Sequence, residues 1–205
     1  MNTHSCRLVL SLPDSAAAPD LLEPLLDGGD IAALLLPGDM PGFSGADRSL
    51  LPAIQQRGIA CLLKAPAPTP LPQGYDGIMF GKDVTLAELR GARAELGSAV
   101  MIGAECDLSR DHAMVKGEAG LDVLAFAHDG SPEKLGHLCE LVAWWSELFV
   151  LPSLVTGDIG LGDAAALIEA GADFLAPMAP LWNAPAGPQA ALRAYQNLAA
   201  GGQPS

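Results

Sequence analysis

Short apolar runs alternate along this chain with stretches of helical periodicity, and this alternation limits the choice of fold more than any other feature. The apolar runs predict strands, and they span residues 7–13, 31–37, 59–65, 75–81, 99–106, 123–127, 149–155 and 174–181. Several of these runs are apolar at nearly every position, which is typical of strands in parallel sheets that helices cover on both faces. The chain is therefore expected to fold as an α/β protein.

The segments between the strands mostly predict helices, at 20–26, 47–56, 86–96, 109–118, 132–147, 162–170 and 189–199. The exception is APAPTPLPQG, which is too rich in proline for a helix and predicts an extended loop. About eight strand–helix units in succession favour a closed (β/α)8 TIM barrel, with an open doubly wound sheet as the alternative. We expect one domain over residues 1–205, with a frayed tail at 200–205.

Charge and cysteine content narrow the classes of function. The net charge is −13 with only 11 lysine and arginine residues, so no basic surface for nucleic acid is expected. The four cysteines lack the spacing of a zinc site, which predicts no structural metal and favours a reduced, cytoplasmic compartment. No apolar run reaches the roughly 18 residues of a membrane span.

In a barrel of this type, functional residues lie at the carboxyl ends of the strands. The segment Thr156-Gly157-Asp158 follows the seventh strand and precedes a helix, where free backbone N–H groups suit a phosphate. Together with Met178 and Ala179 it predicts a phosphate cradle between the last two strands. Asp158 leaves two interpretations open: its carboxylate caps the next helix, or it occupies the place of the anion.

Other strand ends carry side chains with acid, base or binding chemistry. Lys64, Glu105 and His128 are candidate catalytic residues, since lysine, carboxylate and imidazole groups can hold anions or move protons. Candidate pocket residues are Lys82, Asp83 and Trp182. The alternative for each of these charged residues is a solvated position at the rim of the barrel. Trp144 and Trp145, on the longest predicted helix, are expected to pack against the core or to form a homodimer contact.

Four motifs occur in the order and spacing of one family of barrels: YDGIMFGKD, VMIGAECDLSRDHA, GLDVLAFA, and LPSLVTGDI followed by AGADFLAPMAPLW. They resemble ADGVHLGQED, IIGVSxHxxxEA, GADYxxxG, and PVVAIGGI followed by AGADGVAVxSAI of the thiamine-phosphate synthases and thiazole tautomerases. The resemblance implies a phosphorylated small-molecule ligand. In the synthases, an aminopyrimidine diphosphate and a thiazole phosphate are joined with magnesium. In the tautomerases, a histidine after the sixth strand moves protons on the thiazole phosphate. His128 occupies the corresponding position in this chain.

The chain departs from the synthase pattern where charge is needed. A Gln-x-Arg-x-Lys triplet is absent after the second strand, and Lys64 stands where an Asn-Asp pair is expected. Val84 takes the place of a magnesium-binding aspartate, so no metal ligands are assigned and magnesium stays an open question. Three hypotheses follow: a synthase or tautomerase, a non-catalytic barrel that binds a phosphorylated ligand or a protein, and an enzyme for an unrelated substrate that uses Lys64, Glu105 and His128.

Overall fold

Eight parallel strands close into a barrel in sequential order in the computed structural model, so the predicted TIM barrel is confirmed and the open sheet is excluded. The structure describes residues 5–13, 22, 24–27, 29–37, 50–65 and 70–201. The strands are β1 (Arg7–Ser11), β2 (Ile31–Pro37), β3 (Ala60–Ala65), β4 (Gly77–Phe80), β5 (Met101–Cys106), β6 (Val123–His128), β7 (Ser153–Gly157) and β8 (Phe174–Pro177).

Helices connect the strands on the outside of the barrel. They are α1 (Leu50–Gln55), α2 (Leu86–Leu96), α3 (Arg110–Gly117), α4 (Pro132–Leu148), α5 (Leu161–Glu169), α6 (Ala179–Trp182) and α7 (Pro188–Ala199). Helix α2 has the predicted bounds because Thr85 and Glu88 form a capping box at its start and Gly97 ends it. Much of the predicted helix 20–26, the start of 47–56, residues 66–69 and residues 202–205 lie outside the described residues.

Two predicted strands, 149–155 and 174–181, extend four residues beyond one end of the observed strands β7 and β8. Residues 149–152 are not part of β7, because Phe149 stacks on Trp145 and the Trp145 indole donates a hydrogen bond of 2.7 Å to the Leu151 carbonyl. The chain also leaves β8 after Pro177, and 179–182 turn into the short helix α6 with a proline in its first turn. The strand β6, in contrast, is one residue longer than predicted and ends at His128.

Side chains alternate along each strand between the barrel interior and the layer beneath the helices. The interior is filled by a small apolar cluster: Val9, Ala33, Leu35, Leu62, Met79, Ala125, Leu154 and Ala176. The larger core lies between strands and helices and includes the fully buried Phe126 and Trp145, whose rings meet edge to face at 6.3 Å. Burial of a large apolar side chain stabilises a fold by about 1.5–3 kcal/mol.

Aspartates at the amino ends of even-numbered strands hold the neighbouring odd-numbered strands. Asp122, just before β6, donates its N–H to the Ile102 carbonyl and accepts the Ile102 N–H on its carboxylate, both at 2.8 Å. Asp76 makes the same two bonds with Cys61, at 2.9 and 2.8 Å, and the Asp173 carboxylate accepts the Ser153 N–H at 2.8 Å. These aspartates belong to the motifs quoted above, and their contacts set strand register.

The four cysteines are free thiols that lie in the apolar core or against it. Cys6, Cys61 and Cys106 are buried, and Cys139 is half-buried. Burial raises the pKa of Cys6 and of Cys61 to about 12, and that of Cys106 to about 11, so these thiols are neutral near pH 7. Among the described helices, none combines the length and apolar composition of a membrane span.

Replacing Asp122→Ala should lower the free energy of unfolding by about 1–3 kcal/mol, because the buried Ile102 N–H loses its acceptor. The midpoint of urea unfolding measures the effect. Glu95→Ala is the control: it removes an exposed carboxylate from α2 and should change stability by less than about 0.5 kcal/mol. Equal stability of the two variants would show that the carboxylate does not hold the register.

Candidate active site at the mouth of the barrel

A cavity of about 500 Å³ opens at the carboxyl ends of the strands. Its wall is mainly apolar, with Leu35, Pro37, Met79, Phe80, Ala125 and Leu154. Polar groups come from Ser11, Lys64, Glu105 and Thr156, and Met178 borders it just after β8. The volume lies within the range of small-molecule pockets, and the position is where TIM barrels carry their active sites.

Lys64 and Glu105 are the charged side chains on the cavity wall among the described residues. Both are half-buried, and both face the interior because they share strand parity with Leu62 and Gly103, respectively. Neither side chain has an ion pair or hydrogen bond with a described residue. Two charges of opposite sign therefore face the cavity without partners in the described part of the chain, in apolar surroundings where such charges are costly to leave unpaired.

Helix α3 holds the strand ends that border this pair. The Lys116 ammonium donates hydrogen bonds of 2.6 Å to the carbonyls of Glu105 and Lys82. This contact ties the end of β5 to the loop after β4 and limits the movement of the Glu105 backbone. The side chains of Lys82 and Asp83, predicted to belong to the pocket, are exposed and do not line the cavity.

Only some of the residues of the predicted phosphate cradle are placed to contact a ligand in the cavity. Thr156 and Met178 line the cavity, and the Thr156 hydroxyl contacts the Met178 sulfur at 3.8 Å. The N–H groups of Asp158 and Met178, however, donate to the carbonyls of His128 and Gly157, at 2.9 and 2.8 Å. These two donors are therefore already used within the protein. Ala179 is exposed at the start of α6.

Gly157 cannot be replaced by a larger residue without a shift of the backbone. Its φ of 118° is in the region that favours glycine, and a Cβ there would lie 2.0 Å from the His128 carbonyl oxygen. The tight packing of β7 against β6 thus explains the glycine of the turn.

Neither interpretation of Asp158 describes the structure. The residue is exposed, and its carboxylate accepts no hydrogen bond from a described residue, so it does not occupy the place of an anion. It does not cap α5 either, because the N-cap is Gly160, whose N–H donates to the Asp163 carboxylate at 3.1 Å. Asp158 projects from the turn into solvent.

The candidate catalytic residue His128 lies outside the cavity. It is the last residue of β6 and has the parity of Leu124 and Phe126, so its ring points toward the helices and is almost completely buried. Nε2 lies 3.6 Å from the Asp163 carboxylate, and Nδ1 has no hydrogen-bond partner among the described residues. The structure does not bring the imidazole to a ligand in the mouth of the barrel.

The neighbour Asp129 does not orient this imidazole. Its carboxylate accepts hydrogen bonds from the Lys134 ammonium and from the hydroxyl and N–H of Ser131. The Lys134 bond, followed by those from Ser131, holds the pKa of Asp129 well below its usual range. Asp129 is therefore a charged residue in the turn before α4 rather than a partner of His128.

Trp182 joins helix α6 to the carboxyl end of strand β1. Its indole N–H donates a hydrogen bond of 2.8 Å to the Ser11 carbonyl, and its ring packs against the core. The side chain fastens α6 to the end of β1 and does not border the cavity, in contrast to the predicted pocket role. Trp144, a candidate homodimer contact, lies under the Arg110 guanidinium at 5.1 Å.

The described residues at the mouth offer little charge to hold a magnesium diphosphate. Magnesium in phosphate sites is generally held by one or two carboxylates together with the phosphates. The described cavity wall supplies the smallest such set, one carboxylate (Glu105), and one cationic side chain (Lys64) for the diphosphate, and the described residues contain no cluster of three metal-binding side chains. The cavity-facing positions at the end of β2 are Leu35 and Pro37, neither of which can neutralise phosphate charge.

No protein-family model matches the chain. Curated relatives include a thiamine-phosphate synthase from Rhodospirillum centenum, which is 35% identical over 96% of this chain and 99% of its own length. Another thiamine-phosphate synthase, from Hyphomonas neptunium, is 35% identical over 94% of this chain and 93% of its own length.

Solved structures with a similar fold include a thiamine phosphate pyrophosphorylase from Pyrococcus furiosus. It has a TM-score of 0.72 at 15% identity and covers 97% of this chain and 98% of its own. The 3-hexulose-6-phosphate synthase from Salmonella typhimurium has a TM-score of 0.71 at 13% identity, over 96% of this chain and all of its own. At such identities these structures support the barrel fold alone.

The buried position of His128 predicts that its size matters more than its imidazole nitrogens. His128→Leu conserves volume and should cost less than about 1.5 kcal/mol of stability, since Nδ1 makes no hydrogen bond and the Nε2 contact is long. His128→Ala leaves a cavity and should cost about 2–5 kcal/mol. Urea unfolding measures both, with the exposed His112→Ala as the control. A leucine variant as unstable as the alanine variant would mean that the contact with Asp163 stabilises the fold.

Proposed function

This chain belongs to the thiamine-phosphate synthase family, and we propose that it acts in thiamine biosynthesis by binding a phosphorylated thiazole in the mouth of its barrel. The observation that carries this proposal is the cavity itself, which is mainly apolar and to which the described residues contribute one cationic side chain, Lys64. The apolar wall suits the faces of a heterocycle, and the unpaired ammonium suits a phosphate.

Lys64 supplies the positive charge for a phosphate, which the loop after β7 does not provide. The N–H groups of Asp158 and Met178 are occupied, and the Asp158 carboxylate repels an anion that approaches the turn. A phosphate seated closer to Lys64 avoids that repulsion and gains a charge-assisted hydrogen bond. The ligand then lies with its ring against Leu35 and Met79 and its phosphate toward β3.

A second candidate function is the complete synthase reaction, in which thiazole phosphate is joined to an aminopyrimidine diphosphate. It is favoured by the relatives of that name, which this chain matches over 96% and 94% of its length. Pyrophosphate leaves readily only when its negative charge is neutralised. Glu105 adds a negative charge at the cavity wall instead, so we expect condensation to be slow compared with binding.

The tautomerase alternative has less support. It requires the His128 imidazole at the ligand, and this imidazole lies between β6 and α5. A regulatory role through binding of the phosphorylated ligand, without turnover, is compatible with the same cavity. Turnover assays with aminopyrimidine diphosphate, thiazole phosphate and magnesium separate that role from the synthase reaction.

Calorimetric titration with thiazole phosphate tests the proposal. We expect saturable binding, and Lys64→Met should weaken it about tenfold or more, because a hydrogen bond to a charged group contributes about 1.5–3 kcal/mol. Lys82→Met is the matched control, since it removes an exposed ammonium outside the cavity, and it should change the affinity less than about twofold. Magnesium should have little effect on this step. Absence of binding at millimolar thiazole phosphate would contradict the proposed function.

A further inference from the structure

The two charged side chains that the described residues place on the cavity wall have opposite signs, and binding of an anion requires only the positive one. Lys64 alone serves a phosphate. Glu105 faces the same apolar cavity, has no counter-ion among the described residues, and is half-buried. An unpaired carboxylate in such surroundings is costly unless a ligand supplies a cation or an N–H donor.

The Lys64 ammonium and the Glu105 carboxylate do not pair with each other in this structure. Strand β4 separates β3 from β5, so the two backbones are roughly 10 Å apart at the usual spacing of strands. The strand pairing places Lys64 level with Met79 and Met79 level with Gly103, which leaves Glu105 two residues nearer the opening. No ion pair within 4.0 Å joins Lys64 to Glu105. A ligand that spans β4 can contact both.

Glu105 is also held in place by the backbone. The Lys116 ammonium donates a hydrogen bond to its carbonyl, and Gly103 and Ala104 at the preceding positions are buried. Its carboxylate therefore stays at the cavity instead of turning outward with the chain.

We propose that the mouth of the barrel selects a zwitterionic ligand, with a phosphate at Lys64 and a cationic ring or amino group at Glu105. The inference rests on the proposed function, because it assumes that a phosphorylated heterocycle enters this cavity. Ligands with several negative charges and no cation are disfavoured, since Glu105 repels them in a medium of low polarity. Thiamine phosphate carries a thiazolium cation, an amino group and a phosphate, and it is the probe of choice.

Calorimetry with two ligands tests this selectivity. The unmodified protein should bind thiamine phosphate about tenfold more tightly than thiazole phosphate, which has the phosphate but no fixed cation. Glu105→Gln keeps the shape of the side chain and removes its charge, so it should weaken thiamine phosphate about tenfold and leave thiazole phosphate unchanged or tighter. Lys64→Met should weaken both ligands to a similar degree.

Asp107→Asn is the matched control, because it removes one negative charge just beyond β5 at an exposed residue outside the cavity. Both affinities should stay within about twofold, as expected for a charge that is well solvated. Circular dichroism of each variant verifies that it is folded before the titrations are compared.

Equal affinities for the two ligands in the unmodified protein would overturn the proposal. So would a Glu105→Gln variant that weakens both ligands equally, because a general loss indicates damage to the pocket instead of loss of selectivity. Either result leaves binding of thiazole phosphate intact, and with it the proposed function. If neither ligand binds at millimolar concentration, the proposed function and the selectivity fall together.

Discussion

The register of the parallel strands is the constraint on which the rest of this structure depends. Asp76, Asp122 and Asp173 set it at the amino ends of β4, β6 and β8, where their carboxylates accept N–H groups of the preceding odd-numbered strands. A slip of one residue would exchange the two faces of a strand. Leu63 would then face the cavity, and Lys64 would be forced among the helices.

The same alternation explains how much of the site could be predicted from sequence. The order of strands and helices, the bounds of β2 and α2, and the location of Lys64 and Glu105 at the mouth follow from apolar runs and strand ends. His128 shows where this reasoning failed. It was assigned to the loop after β6, but β6 includes it, and counting from the buried Phe126 places its ring on the helix side.

Other features had no local signal. The donation from Trp182 to Ser11 joins residues 171 positions apart, and the bond from Lys116 to Lys82 crosses 34 positions. Such contacts depend on the closed barrel and cannot be derived from a motif. The exposed position of Asp158 also had no signal in its own motif. Helix α5 has its N-cap two residues later, at Gly160, because the Gly160 N–H donates to the Asp163 carboxylate.

The residues that set the strand register and the residues that would select a ligand therefore lie at opposite ends of the barrel. The aspartates at the amino ends secure the strands, whereas the residues of the mouth make few contacts that the fold requires, so their charge can change without loss of the barrel. Family membership by itself consequently leaves the ligand open. In the described wall of this cavity, Leu35 and Pro37 provide no charge for a diphosphate, and Lys64 and Glu105 give one side of the cavity a positive charge and the other a negative charge. Because both charges lie on an apolar wall, their interaction with a ligand is stronger than at an exposed surface, and the ligand that balances both signs has the advantage.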